Sequence, residues 1–378
     1  MRILFPCGLF YPSKLGGPAN TLYWLAKALV KDGFDVSVVA SNNHIEDGLV
    51  IKDQWTQIDG IRVRYCSVRG AFPFGIVRYA SKEMKACDIV VFSSICYLPN
   101  FPLAIKARLR RKKIVWSPRG ELLGEALQGN KGKLLYFKFL KLLLGNHVLF
   151  HATSNEEKAS ILSIFGSNAN VVIIPNYMEL PQREKRDNLQ PGYFLYLGRI
   201  APIKALDKLV KGIAKSERFM QSNYVFKLAG GVEEQFEGYY TRLQELIHQF
   251  NLNNKVVFIG AVNGKEKYSI LANARYLFLV SNSENFGNVV LESLSQGTPV
   301  VASQGTPWHS LVDNNAGFWI KNSPEDIANC IDQIFFYSEK EYLSQCENAL
   351  ALAKRFDVFE NISQWRQVFE ALYSVNSL

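Results

Sequence analysis

The chain has 378 residues, of which 48% are hydrophobic and 20% charged, and carries a net charge of +9. That length suits two domains of ordinary size, and that balance excludes a disordered or fibrous chain. No run of about 18 uncharged apolar residues occurs, so no spanning helix is expected. The basic excess is uneven: residues 1–180 carry 23 Lys and Arg against 13 Asp and Glu, and residues 181–378 carry 20 against 21. An anionic partner is therefore expected for the N-terminal half. The six cysteines (Cys7, Cys66, Cys87, Cys96, Cys330 and Cys346) show neither C-x-x-C pairing nor zinc-ribbon spacing. Met1 runs straight into a strand pattern without a secretory leader, so reduced thiols and a cytoplasmic location are expected.

In chain order, residues 3–5 start a strand and the loop 8–20 (GLFYPSKLGGPAN) leads into an amphipathic helix over 19–31. Further strands are predicted at 34–40, 61–66, 89–93, 113–116, 148–151 and 171–174, the last ending in Pro175-Asn176. Strands alternating with helices imply a parallel sheet covered on both faces. Residues 181–191 (PQREKRDNLQP) are charged, bounded by prolines and without periodicity, which places a domain boundary there. A second set follows. Residues 193–197 end in Gly198-Arg199, residues 224–229 in Gly230-Gly231, and residues 256–259 in Gly260. The tail 356–373 reads as a helix with Phe359, Ile362, Trp365, Phe369 and Leu372 on one stripe.

The richest chemistry lies in residues 275–308 (ARYLFLVSNSENFGNVVLESLSQGTPVVASQGTPW). A buried strand leads into a polar loop holding Glu284, and a helix starting near Asn288 holds Glu292. In an open parallel sheet this is the carboxyl-end crevice where ligands bind. Gly287 lets backbone approach an anion, and the free N–H groups of a helix start favour phosphate. Arg199 and Lys204, in GRIAPIKALDKLV, combine a planar fork with a point charge, a pair suited to a diphosphate. Each has an ordinary alternative as a helix-start carboxylate or a surface cation. Gly16-Gly17 suits close approach to a phosphate, though paired glycines also make plain tight turns. His151, within HATSNEE, reads as structural, with Thr153 or Ser154 capping a helix and Glu156 or Glu157 as box partner. There is no D-x-D, no His/Cys cluster at ligand spacing, no G-x-G and no G-K-[S/T]. A metal site is therefore not expected, and these absences argue against an oxidoreductase and against a kinase or ATPase.

The stretch resembles the nucleotide-sugar site of retaining glycosyltransferases of family four, with Glu284 and Glu292 filling the E-x(7)-E pattern. The GTPVVAS and GTPW segments are similar to members that build bacterial surface polysaccharides such as lipopolysaccharide. The resemblance implies an α/β chain of GT-B fold, two Rossmann-like doubly wound parallel-sheet domains facing a central cleft. Residues 1–180 would bind the acceptor, residues 181–355 the donor, and residues 356–378 would pack back on the first domain. It implies a UDP- or GDP-linked sugar as donor, moved with retention and without a metal to a saccharide or lipid-linked saccharide. Arg199 and Lys204 would hold the diphosphate, with Gly16 and Gly17 facing it from the first loop. Glu292 would hold the ribose, and Glu284 the transferred sugar together with Asn285, Phe286, Gly287 and Asn288. Gly260 and Val262 would lie against the base. Two departures stand out. Lys204 is followed by Ala205 where the family commonly has Lys-Gly, and residues 116–127 offer Arg119 and Glu121 on the acceptor side where many relatives have a His. The alternatives are a sugar-nucleotide epimerase on the same fold and a non-catalytic sugar-binding protein.

Two basic stretches account for the N-terminal charge, residues 106–113 (KARLRRKK) and residues 131–150 (KGKLLYFKFLKLLLGNHVLF). The second reads either as a core helix whose lysines face water or as an interfacial helix on anionic lipid. The latter would place the protein at the inner face of the cell membrane. No nucleic-acid partner is expected.

Overall fold

A computed structural model describes residues 1–13, 17–68, 72–123, 131–187 and 192–374. Gly16, within one of the predicted phosphate loops, lies outside the described residues. The chain divides into two compact units, one of Met1–Glu179 with Asp357–Leu378 and one of Leu180–Phe356.

The first unit is built on an eight-stranded sheet: β1 (Arg2–Cys7), β2 (Asp35–Ser41), β3 (Trp55–Ile58), β4 (Ile61–Cys66), β5 (Ile89–Ser93), β6 (Lys113–Ser117), β7 (Val148–Ala152) and β8 (Asn170–Ile173). Their order is β3-β4-β2-β1-β5-β6-β7-β8. All neighbours are parallel except β3 and β4. The edge strand β3 has no counterpart in the sequence reading. Its signal was the Asp59-Gly60 pair, two residues with positive φ (48° and 79°) that close a two-residue hairpin between Ile58 and Ile61. Strands such as β5 (IVVFS) are buried at every residue, which explains their unbroken apolar runs. Ile76, Leu103, Phe137 and Ile161, from four helices, share a core with Phe92 and Trp116. The tail helix Val358–Ser374 belongs to this unit: Phe369 lies edge-on to Phe34 at 6.0 Å and Trp365 lies 4.6 Å from His151. Val358, not Phe359, supplies the first buried position of its stripe; Phe359 instead lies under Lys31, 4.3 Å from its Nζ.

The second unit holds β9 (Tyr193–Leu197), β10 (Val225–Ala229), β11 (Val256–Gly260), β12 (Tyr276–Leu279), β13 (Val300–Ser303) and β14 (Gly317–Ile320), all parallel in the order β11-β10-β9-β12-β13-β14. Numbered from β9, this is the 3-2-1-4-5-6 order of a doubly wound nucleotide-binding sheet. Phe194 sits at its centre with Phe226, Phe278 and Tyr276 around it. Residues 181–187 of the linker have no regular secondary structure. Arg186 donates to the Ala272 carbonyl at 2.7 Å and to the Tyr342 hydroxyl at 2.8 Å, tying the linker to this unit.

Candidate active site

In the second unit the strand order reverses between β9 and β12, the kind of switch point at which open α/β sheets take their ligands. The Asn282 N–H donates to the Ile203 carbonyl across this point at 2.9 Å. Around that bond Lys204 and Glu284 meet: the Lys204 ammonium donates to Glu284 Oε1, and the Ser281 hydroxyl donates to the same oxygen at 2.8 Å. Both charged side chains are about one-seventh exposed, 15% and 13%. The Glu284 backbone N–H is held by the Gly305 carbonyl at 2.9 Å, which anchors the loop to the segment after β13. Lys208 and Asn322 both donate to the Asn282 side-chain carbonyl, at 2.9 Å each, bracing the loop from the other side.

The backbone answers the first departure from the family pattern. Ala205 sits in the left-handed region, φ 52° and ψ 38°, and caps the helix Leu206–Lys215. Ala205 thus holds a conformation that glycine adopts freely and alanine adopts at a cost.

The glycines at the ends of β9, β10 and β11 are stitched together. The Gly198 N–H donates to the Ala229 carbonyl at 3.0 Å and the Gly230 N–H to the Gly260 carbonyl at 2.8 Å. A Cβ on Gly230 would stand 1.8 Å from the Gly198 carbonyl oxygen, so only glycine fits there. Arg199 projects from this edge, more than half exposed, and pairs with Glu233 at 2.7 Å. Val262, just past Gly260, is buried.

The helix Asn288–Ser295 begins at Gly287, whose φ of 80° turns the chain from loop to helix. A Cβ there would lie 2.9 Å from Leu279 Cδ2. Phe286 points inward: its ring is buried 5.0 Å from Trp308, and the Trp308 indole N–H donates to the Phe286 carbonyl. One turn further on, Glu292 accepts from Lys267 at 2.8 Å. Burial alone would lower the Lys267 pKa, but the Glu292 carboxylate and Tyr268 beside it raise it overall. Glu233, Lys267 and Ser281 escaped the sequence reading. Glu233 and Lys267 stand 34 and 25 residues from Arg199 and Glu292, and only the sheet order makes them neighbours.

In the first unit Arg119 and Glu121, expected from the sequence on an acceptor side, have defined partners. Glu121 accepts from the Ser94 hydroxyl at 2.6 Å, the Ile95 N–H at 2.5 Å and the Cys96 N–H at 2.9 Å. It thereby fixes the turn after β5, where Ser94 has a φ of 69°. Arg119 donates to the Asn176 side chain at 3.0 Å and to Ser93 Oγ at 3.3 Å. Burial lowers its pKa to about 10, against the pull of Glu157. Glu157 accepts from the Gly120 N–H at 2.7 Å and the Thr153 N–H at 2.8 Å, while Ser154 caps the helix Asn155–Phe165. His151 lies beneath them, with Nδ1 2.7 Å from Ser117 Oγ and Nε2 2.8 Å from the Ile174 carbonyl. A carbonyl only accepts, so Nε2 carries the proton and Nδ1 accepts from the serine. Burial, then the Arg119 charge, lower its pKa to about 3, so the imidazole is neutral. Gly17 opens the first helix and is exposed. Among the described residues, no group of three or more His, Cys, Asp or Glu side chains stands where it could hold a metal ion.

A doubly wound sheet with charged loops at its switch point, following another doubly wound sheet, is a two-domain arrangement suited to a nucleotide ligand. Two family models match adjoining stretches: "Glycosyltransferase Family 4" over residues 15–180 and "Glycosyl transferases group 1" over residues 178–349. The chain belongs to this family of GT-B glycosyltransferases. Among curated relatives, an uncharacterized glycosyltransferase of Methanocaldococcus jannaschii is 27% identical over 48% of this chain and 43% of its own length. The O-antigen chain mannosyltransferase RfbU of Salmonella typhimurium is 24% identical over 61% of this chain and 62% of its own. The match thus spans less than two thirds of either relative. Among solved structures, Anabaena Alr3699/HepE in complex with UDP and glucose superposes with a TM-score of 0.77 at 19% identity, covering 98% of this chain and all of that one. WaaG, a glycosyltransferase involved in lipopolysaccharide biosynthesis, superposes with a TM-score of 0.69 at 15% identity, covering 97% and 99%.

Proposed function

We propose that this glycosyltransferase moves a sugar from a nucleotide-diphosphate donor to a saccharide or lipid-linked saccharide, with retention at the anomeric carbon and without a metal ion. The observation that carries the reading is the meeting of Lys204 and Glu284 at the switch point between β9 and β12, where an open α/β sheet takes its ligand. The C-terminal unit takes the donor and the N-terminal unit the acceptor. Lys204 and Arg199 lie on the loop after β9 and stabilise charge developing on the leaving diphosphate. Glu292, one oxygen held by Lys267, presents the other to a ribose hydroxyl. Glu284 and the backbone of Asn285 to Asn288 face the transferred sugar, and Gly260 and Val262 flank the base.

The acceptor hydroxyl attacks the anomeric carbon on the face from which the diphosphate departs. The C–O bond to the phosphate breaks with its electron pair going to the phosphate oxygen, and the hydroxyl proton passes to that oxygen. Front-side substitution is the form chosen because no side chain in the motif stands as an evident nucleophile.

UDP- and GDP-sugars are the expected donors, and a surface polysaccharide such as O-antigen is the expected product. The likeness to RfbU and WaaG supports this reading. No helix among the described residues is long and apolar enough to cross a membrane. The helix Lys131–Leu144 nevertheless exposes Leu135 at 71% and Leu142 at 79% beside Lys138 and Lys141. A peripheral contact with anionic lipid through residues 106–113 and 131–150 is part of the proposal.

A thermal-shift screen of UDP-, GDP-, ADP- and dTDP-sugars tests the donor assignment, since a ligand that binds only the folded state raises the melting point. One nucleotide class is expected to stabilise the wild type and to lose its effect in Lys204→Ala, Arg199→Ala and Glu292→Ala. No shift from any of them, or equal shifts in the variants, sinks the reading.

A further inference from the structure

Away from the switch points, the helices Phe74–Glu83 and Asn100–Leu109 of the first unit enclose a groove of about 550 Å³. Five cations line it: Arg78, Lys82, Lys85, Lys106 and Arg110. No carboxylate lines it, and none of the five forms an ion pair among the described residues. Lys106 and Arg110 are already directed: the first donates to Ser81 Oγ at 3.0 Å and the second to the Ser81 carbonyl at 2.6 Å, near the carbonyl end of the first helix. Arg78, Lys82 and Lys85 are exposed. Five like charges in one concavity repel one another, and that repulsion is relieved by an anion.

The surroundings decide which anion. Phe74, itself part of the groove, is 73% exposed, and Leu109, at the end of the second helix, is 79% exposed. The neighbouring helix Lys131–Leu144 joins this layer through Phe139, 5.9 Å from Phe101, and adds Leu135 and Leu142, equally exposed. Aliphatic side chains such as Leu109, Leu135 and Leu142 find little to bury against on a nucleic acid or a free sugar phosphate, whereas a bilayer receives apolar side chains and presents phosphates at the same depth.

We propose that this groove seats the phosphate headgroup of an anionic phospholipid, with Phe74 and Leu109 entering the acyl boundary on either side. The seat lies outside residues 106–113 and 131–150 in its three exposed cations, and it rests on the peripheral-membrane part of the proposed function. It gives the protein a bound lipid at a fixed place on its first unit, where that reading needs only diffuse attraction.

The experiment is co-sedimentation with vesicles of phosphatidylcholine, with and without phosphatidylglycerol. It compares the wild type with a groove triple variant (Arg78→Gln, Lys82→Gln, Lys85→Gln) and a control triple variant (Lys185→Gln, Lys340→Gln, Lys354→Gln). Each cation at a membrane surface is worth about five-fold in binding, so the groove variant is expected to bind the anionic vesicles about 100-fold more weakly. The control variant should change little, and the melting points of both should match the wild type because the replaced side chains are exposed. Equal losses in the two variants would overturn the seat and leave the membrane reading standing. Stabilisation of the wild type but not of the groove variant by inorganic phosphate, with vesicle binding the same in both, would assign the groove to a free phosphate instead. Absence of wild-type binding to either vesicle would overturn both the seat and the membrane contact, leaving the glycosyl-transfer reading intact.

Discussion

Lys267 Nζ lies 2.8 Å from Glu292 Oε1, with the two side chains only 17% and 10% exposed. Removing one partner leaves a charge in a largely dry place. Glu292→Ala is expected to cost ~2 kcal/mol, below the range for fully buried pairs because water still reaches this one. Replacing both, Glu292→Leu with Lys267→Met, should recover more than half of that. Urea denaturation of the two single variants and the double variant checks it. Additive losses would show that the pair is not coupled.

The pairing of Lys204 with Glu284 makes two separable claims about activity. Lys204→Ala should lower kcat/KM ~100-fold, the scale for losing one group that stabilises developing negative charge. Glu284→Gln frees Lys204 from its carboxylate. If Glu284 serves the sugar, this variant binds the free nucleoside diphosphate at least as tightly as the wild type yet has a raised KM for the nucleotide sugar. Calorimetry with the diphosphate beside steady-state rates separates the two; weaker diphosphate binding in Glu284→Gln would refute the division of roles.

Ala205 holds a φ of 52° that costs a side-chain-bearing residue about 1–2 kcal/mol. Ala205→Gly relieves this strain but adds chain entropy to the unfolded state and removes a buried methyl group, so the net change should lie within ~0.5 kcal/mol of zero. Ala214→Gly, later in the same helix, has no strain to relieve and should cost ~1 kcal/mol. Chemical denaturation of both variants distinguishes them.

His151 is held neutral, with a pKa near 3 against 6.5 for the free side chain. Below pH 6.5 the unfolded chain takes up a proton at this position and the folded chain does not. Stability therefore falls as pH drops from about 6.5 towards 3, with a slope approaching ~1.4 kcal/mol per pH unit from this residue. Above pH 6.5 it contributes no slope. His151→Gln should flatten the acid limb of a plot of stability against pH relative to the wild type.

Glu121 receives a hydroxyl and two backbone N–H groups of the turn after β5. Glu121→Ala strands those donors and is expected to lower stability by ~2 kcal/mol. Glu121→Gln keeps one acceptor oxygen and should lose less. A melting-point series over the three proteins tests this, and a wild-type value for Glu121→Ala would assign the turn's stability elsewhere.

The alternation of apolar strands and amphipathic helices and the glycine-ended strands made the doubly wound fold and the loops at its switch point legible, because periodicity and strand-end chemistry are local. The hairpin at Asp59-Gly60 was also written locally and was passed over. The family pattern pointed to Arg199 and Lys204, but no pattern in the chain announces Glu233 or Lys267. Their meaning arises only when β9, β10, β11 and β12 lie side by side in an order the sequence does not spell out. The sequence by itself determined which residues carry charge and which strands are buried. The tertiary structure alone decided which donor each carboxylate faces: Lys204 for Glu284, Lys267 for Glu292, and the Ser94 hydroxyl with two backbone N–H groups for Glu121. Pairing depends on through-space distance and exclusion of water, and neither is a property of chain position.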